Sequence, residues 1–311
     1  MEDKTSMICI DLKKYGKINL EHCMSSGQIF GWTKVNKRWY GFLNNIPIGV
    51  SQEKDKLIVY SNKKISEDEI IHFFSLDEDI EEINGKIGVN DFMNKAINSY
   101  SGLRILRQNP IDTIIEFICA QNKNIPSIEK TITRLSEKYG EKTEIDGITL
   151  FKLPNARKIA DCSLNGLLET GLGYRAKYLR NSAKKILEDT TYIDRIKKMN
   201  YSDALHAMTS GSTKLDGVGL KVADCILLYG FHKLEAFPID VWVFRAYAMA
   251  LKEYVNEDLY RENRFGKMKL DKKKYLLMGN FARKIFGKYA GYAQLYIYMA
   301  SRNLLMSNEK V

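Results

Sequence analysis

No run in this 311-residue chain approaches the ~18 consecutive apolar residues that a bilayer-crossing helix needs. The opening Met1-Glu2-Asp3-Lys4 is acidic where a secretory leader would be basic and then apolar. The protein is therefore expected to stay where it is made, in a cytoplasm (prokaryotic cytosol or nucleoid), with no membrane partner. Cysteine is scarce. Cys9, Cys23, Cys119, Cys162 and Cys225 are odd in number, widely spaced and never in a CxxC pair, which argues against a disulfide framework and against a zinc or iron–sulfur centre. Only five prolines occur, and none interrupts a helical pattern beyond its first turn. Repeats and low-complexity tails are missing.

Charge, in contrast, is plentiful and unevenly placed. The chain carries a net +10, yet residues 1–98 hold 13 basic and 15 acidic side chains, so the excess lies entirely in the remainder. Such asymmetry suggests a nucleic-acid partner, although solubility alone also accounts for it. The 45% hydrophobic content suffices for an ordinary core, and the length allows about two domains.

From Ile29 to about Tyr60 the chain reads as an antiparallel meander. Ile29–Val35 and Arg38–Phe42 flank the turn Asn36-Lys37, and Leu57-Ile58-Val59-Tyr60 is a β-branched run. Residues 61–98 form a helix-containing connection, with Ser66-Glu67-Asp68-Glu69 as an N-terminal cap. After residue 99 apolar residues recur three and four apart. Helices are expected over Asp112–Cys119, Ile125–Tyr139, Ala176–Leu187, Tyr201–Met208, Lys221–Tyr229, Val241–Tyr254 and Tyr289–Leu305. The fold class is α+β: an antiparallel-sheet domain over residues 1–98 and a helical domain over residues 99–311.

Leu215-Asp216-Gly217-Val218-Gly219-Leu220-Lys221 joins two of these helices through glycines two apart. Glycine admits positive φ and close approach of a ligand to the backbone. The free amides of the following helix's first turn attract phosphate. Asp240, 21 residues after the second glycine, opens an apolar helix. Each signal alone has a bland reading: a helix–helix turn, a solvated Lys221, and Asp240 as an ordinary N-cap.

Taken together, LDGVGLKVAD and FPIDVW resemble the helix-hairpin-helix Gly-Pro-Asp DNA glycosylases. The resemblance extends over most of the chain through Ser26–Trp32 (SGQIFGW), Leu106–Pro110 (LRQNP), Phe117–Cys119, Asn122–Ile125, Gly171–Tyr178 (GLGYRAKY) and Ala290–Gln294 (AGYAQ). It is strongest to the 8-oxoguanine DNA glycosylase/lyase branch, whose fold pairs a small sheet domain, similar to half of a TATA-binding protein, with a helical core. This resemblance implies a DNA repair enzyme acting on duplex DNA containing 8-oxoguanine, as a monomer and with no required cofactor.

By the same resemblance Lys221 is the nucleophile and Asp240 stabilises the cationic sugar, with Gly217 and Gly219 in the phosphate-binding hairpin. Burial and the helix dipole are expected to favour the uncharged amine. Cys225 and Tyr298 would flank the flipped base, Gly27 would offer its carbonyl to the N7 hydrogen of 8-oxoguanine, and Gln294 would read the Watson–Crick edge. Tyr174 would fill the vacated stack while Asn122 and Arg175 hold the orphaned base. A monovalent cation on the carbonyls of Thr213, Leu215 and Val218 is a further expectation. Trp242 stands in place of a histidine at the site, Asp216 replaces a hairpin proline, Tyr298 a phenylalanine, and Lys123 interrupts an asparagine run. Ser127 occupies the place of an arginine that reads the opposite cytosine, so relaxed opposite-base specificity is expected.

Two alternatives remain to be weighed. The endonuclease III branch carries a carboxy-terminal four-cysteine iron–sulfur cluster, and no cysteine follows Cys225. Adenine- and alkylbase-removing relatives generally lack the lysine. A hairpin DNA-binding module without chemistry would need neither Lys221 nor Asp240.

Overall fold

A computed structural model describes residues 6–251 and 270–308. The expected helix Val241–Tyr254 runs past the first of these segments, and its end lies outside the described residues, as does the acidic start of the chain. Five antiparallel strands form one sheet in the order β1-β5-β4-β3-β2: β1 (Ser6–Asp11), β2 (Thr33–Val35), β3 (Arg38–Leu43), β4 (Ile46–Glu53) and β5 (Lys56–Ser61). The turns follow the residues that permit them. Asn44 (φ 47°) and Asn45 (φ 70°) make the two-residue connection that sets Leu43 opposite Ile46, a geometry whose twist matches the flanking strands. Strand β1 pairs with β5 along its whole length and was not anticipated. The expected start of the meander at Ile29 is also corrected. Gly27 (φ 74°) and Gly31 (φ 72°) bend Ser26–Trp32 into an irregular loop, inside which buried Gln28 bonds the carbonyls of Cys23 and Arg104.

Helices α1 (Leu20–Ser25), α2 (Glu67–Phe73), α3 (Ile80–Ile87) and α4 (Asp91–Ser99) accompany the sheet. The Ser66 cap is a reciprocal capping box with Glu69. Beyond them follow α5 (Pro110–Cys119) and α6 (Ile125–Tyr139), then α7 (Ala156–Asp161), α8 (Leu164–Leu167), α9 (Arg175–Glu188), α10 (Tyr192–Lys198) and α11 (Tyr201–Thr209). The order continues with α12 (Leu220–Tyr229), α13 (Val241–Ala250), α14 (Lys272–Phe286) and α15 (Ala290–Asn308). One hairpin, β6 (Lys142–Ile145) and β7 (Ile148–Phe151), interrupts the helices. Its turn, Asp146-Gly147 at φ 51° and 73°, is the dipeptide such a turn favours. Asp146 pairs with Arg38 of β3, which fastens the hairpin to the amino-terminal sheet.

One continuous core joins sheet and helices. Fully buried Arg104 stitches it, donating to the carbonyls of Tyr15, Lys17, Ser75 and Glu78. Four carbonyls are met by one guanidinium, which suits a planar fork of five donors.

Candidate active site

The segment between α11 and α12 folds back on itself. Thr213 Oγ1 donates to the Ala207 carbonyl at 2.8 Å, the Leu215 amide to Met208 at 3.2 Å, and the Val218 amide to Leu215 at 3.2 Å. Gly217 sits at φ 75°, and a Cβ there would stand 2.6 Å from the Tyr178 ring. Gly219 behaves differently from the expectation of positive φ. At φ −91° and ψ −179° it is extended, and a Cβ would meet nothing within 4 Å. Its role is to begin α12 without a side-chain cap, so that the first-turn amides stay uncovered. Asp216 does not loosen the hairpin: α9 holds its carboxylate through Asn181 (2.9 Å) and Lys185 (3.3 Å) and its carbonyl through Ser182 (3.0 Å). The Lys185 ammonium also donates to the Lys214 carbonyl at 2.7 Å. Lys214 lies in sequence between Thr213 and Leu215, two of the residues whose carbonyls were expected to hold a cation.

A cleft of about 890 Å³ opens where α12 and α13 begin, and Gly27, Asn122, Lys221, Cys225, Asp240, Trp242, Gln294 and Tyr298 all line it. Lys221 is half-buried in the first turn of α12, its Nζ 5.6 Å from the centre of the Phe117 ring. Asp240 is the N-cap of α13, where one carboxylate oxygen accepts the amides of Trp242 (3.0 Å) and Val243 (2.8 Å). The cap fixes the direction of the carboxylate, so the structural role prepares the chemical one. Gly27 sits at a positive φ of 74°, and a Cβ there would stand 3.2 Å from the end of the Ile125 side chain and in ordinary contact with the Tyr298 hydroxyl. Gln294 is buried with Oε1 unpartnered, a costly state for a polar atom unless a ligand completes it.

The electrostatics correct one expectation. Burial does act to lower the Lys221 pKa, but the Cys225 thiol, the Asp240 carboxylate and Tyr298 outweigh it, and the ammonium is held above its ordinary value. Burial pushes the Cys225 thiol up to about 11, so at neutral pH the charged partner of Lys221 is Asp240. Burial raises Asp240 in its turn, against the Val243 amide, Lys221 and the Trp242 amide, which lower it.

Residues 10–114 match the family described as 8-oxoguanine DNA glycosylase, N-terminal domain, and residues 115–255 match the HhH-GPD superfamily of base excision DNA repair proteins. The N-glycosylase/DNA lyase of Saccharomyces cerevisiae is 30% identical over 90% of this chain and 84% of its own length. This chain belongs to the 8-oxoguanine DNA glycosylase family. A probable N-glycosylase/DNA lyase of Methanothermobacter thermautotrophicus is also 30% identical, over 77% of this chain and 76% of its own. The 8-oxoguanine glycosylase/lyase of Clostridium acetobutylicum, in complex with duplex DNA containing cytosine opposite 8-oxoguanine, has a TM-score of 0.78 at 28% identity and covers 92% of each chain.

For a glycosylase of this family, the residues assigned to the orphaned base are placed unevenly. Tyr174 is exposed, its hydroxyl accepting from Asn122 at 3.0 Å and its ring against the Arg175 guanidinium at 4.4 Å. Arg175 itself is buried and outside the cleft wall, its nitrogens spent on the carbonyls of Gln121 and Leu172. Lys123 is likewise engaged, by Thr131 Oγ1 and the Gly171 carbonyl. Ser127 is exposed in the first turn of α6. Sequence reasoning assigned no role to Phe117, Ile125 or Arg302, which line the cleft. Phe117 and Ile125 lay in quoted motifs, and Arg302 did not. The two hairpin glycines separate experimentally. Gly217→Ala should lower unfolding free energy by about 2–4 kcal/mol, through a left-handed alanine and a contact with Tyr178, whereas Gly219→Ala should change it by less than about 0.5 kcal/mol. Urea denaturation of both variants checks this, and equal losses would contradict it.

Proposed function

We propose that this base excision repair glycosylase removes 8-oxoguanine from duplex DNA through a Schiff base on Lys221, with β-elimination of the strand following. The observation that carries the reading is the convergence of the Lys221 amine and the capped Asp240 carboxylate in one cleft with an unpartnered, buried Gln294 amide oxygen. The relatives' names, N-glycosylase/DNA lyase, agree with it.

The target base leaves the stack to enter the cleft, and exposed Tyr174 fills the space it vacates. Gly27 offers its carbonyl to the N7 hydrogen that 8-oxoguanine has and guanine lacks. Gln294 Oε1 accepts from the Watson–Crick edge, and Tyr298 and Cys225 enclose the ring. Trp242 lines the same wall. Lys221 gives up a proton to solvent, and its lone pair then forms a bond to C1′ as the glycosidic bond breaks; that bond's electrons leave with the base, which takes up a proton in return. Positive charge develops on the sugar, and the fixed Asp240 carboxylate stabilises it. The aminal opens to a Schiff base, whose C2′ proton is acidic enough for elimination of the 3′ phosphate.

The opposite base is read weakly. Ser127 is short and uncharged, and the donors of Arg175 and Lys123 are already bound to protein acceptors. A charged donor pair is worth about 1–3 kcal/mol per base discriminated, and such a pair would have to be taken from existing partners here.

Three outcomes are expected. Lys221→Gln should abolish excision and borohydride trapping while lesion-duplex affinity stays within about threefold, since phosphate contacts supply most of it; normal excision kinetics would sink the mechanism. Because the folded Lys221 pKa is raised, the neutral amine is scarce at pH 7 and grows about tenfold per pH unit. Single-turnover excision should therefore climb through pH 9 without a plateau. Asp240→Asn removes the negative charge that raises that amine at neutral pH, so the climb, on a slower enzyme, should level off at lower pH; an unshifted profile would contradict the assignment. Finally, excision rates on four duplexes differing only in the opposite base should favour cytosine modestly, the usual penalty being reduced by about 1.5–3 kcal/mol. A hundredfold preference would show that a donor is released to the base on binding.

A further inference from the structure

A buried chain of hydroxyls that the mechanism does not use runs beneath the cleft and reaches its wall at Tyr275. Asp224 sits on α12 between Lys221 and Cys225 and is 1% exposed. Its two carboxylate oxygens accept the hydroxyls of Tyr201 and Tyr275, each at 2.6 Å. Arg283 Nη1 donates to the Tyr201 hydroxyl at 3.0 Å. The amide of Ile239, immediately before Asp240, donates to the Tyr275 hydroxyl at 3.2 Å. A phenol has one proton and two lone pairs, so the directions are fixed. Tyr275 gives its proton to Asp224 and receives the Ile239 N–H.

This arrangement has a mechanical consequence. The nucleophile's helix and the segment that delivers the carboxylate share a hydrogen-bonded bridge from a third element. They are joined by Tyr275, which belongs to α14. Its hydroxyl bridges α12 to the backbone one residue before the α13 cap, inside a buried setting where hydrogen-bonded networks hold geometry firmly. Removing the hydroxyl frees the Ile239 amide and one Asp224 oxygen, and leaves the ring in its place in the core.

We infer that Tyr275 is a positioning residue for the glycosylase step, acting through Asp240 by holding the Ile239 amide at a fixed distance from the α12 helix that carries Lys221. The inference rests on the proposed role of Asp240. Small errors in the direction of a charge aimed at a transition state are expensive, so the effect falls on the rate constant and not on DNA affinity.

The test is a double-mutant cycle in the full-length protein, read by single-turnover excision from an 8-oxoguanine duplex at saturating enzyme, with duplex affinity and Tm measured alongside. Tyr275→Phe should slow excision about fivefold to tenfold, the value of one buried hydrogen bond, with affinity changed by less than twofold. Asp240→Asn should slow it much more. Once Asp240 is Asn, adding Tyr275→Phe should cost less than twofold further, since the hydroxyl then has nothing to position. Tyr201→Phe, which removes the other bond to Asp224 but not the one to Ile239, should slow excision by less than Tyr275→Phe at comparable loss of Tm. Multiplicative losses in the double variant, or equal losses for the two tyrosine variants, would overturn the inference and show a merely structural network. An unchanged rate in Asp240→Asn alone would instead overturn the catalytic role on which it rests.

Discussion

An ammonium and a carboxylate drawn partly out of water attract each other strongly, and each alone would be costly to bury. The architecture around the cleft serves that pair. Lys221 lies in the first turn of α12, reached by a hairpin that α9 fastens through Asp216. Asp240 is the cap of α13, where two amides hold its carboxylate in one direction. Both groups are thus carried by helix beginnings. There the backbone supplies free N–H groups, which hold the carboxylate at one helix and leave amides uncovered beside the hairpin at the other.

The same pairing sets the resting state. The cleft keeps the Lys221 amine as an ammonium, with Asp240 as the negative charge acting on it at neutral pH. The helix dipole, which disfavours cations at an N-terminus, is too weak to reverse the balance. Around the pair the cleft carries the recognition chemistry: a glycine whose backbone alone can occupy its place, an amide oxygen without a partner, and aromatic and thiol walls. The amino-terminal sheet serves the same end indirectly, since the loop that presents Gly27 is held by buried Gln28 and Arg104.

Much of this was legible in the sequence. The roles of Lys221 and Asp240 were legible only through the family resemblance; local signatures marked a helix–helix turn and the N-cap at Asp240, which the structure contains. Most of the longer helices from Pro110 onward followed from apolar periodicity, whereas α7, α8, α10 and α14 were not anticipated. Other features were hidden for physical reasons. Strand β1 has six residues and pairs with β5 some fifty residues away, so nothing local marks it. Asp146-Gly147 does carry a hairpin signature, but it lies amid helical patterns. Gly219 looked like a second left-handed glycine, since spacing alone does not report φ. The commitment of Arg175 to the Gln121 carbonyl, and the bridge made by Tyr275, depend on partners brought together only by folding. The raised Lys221 pKa is likewise a sum over neighbours from three elements.

The central claim is a covalent bond between one lysine and the sugar of the damaged nucleotide. Its most direct measurement is the site of that bond. Protein incubated with an 8-oxoguanine duplex and borohydride, then digested with protease and nuclease, should yield a modified peptide whose mass shift fragments to Lys221 alone. Attachment at another residue, or complete base release with no adduct formed, would contradict the account.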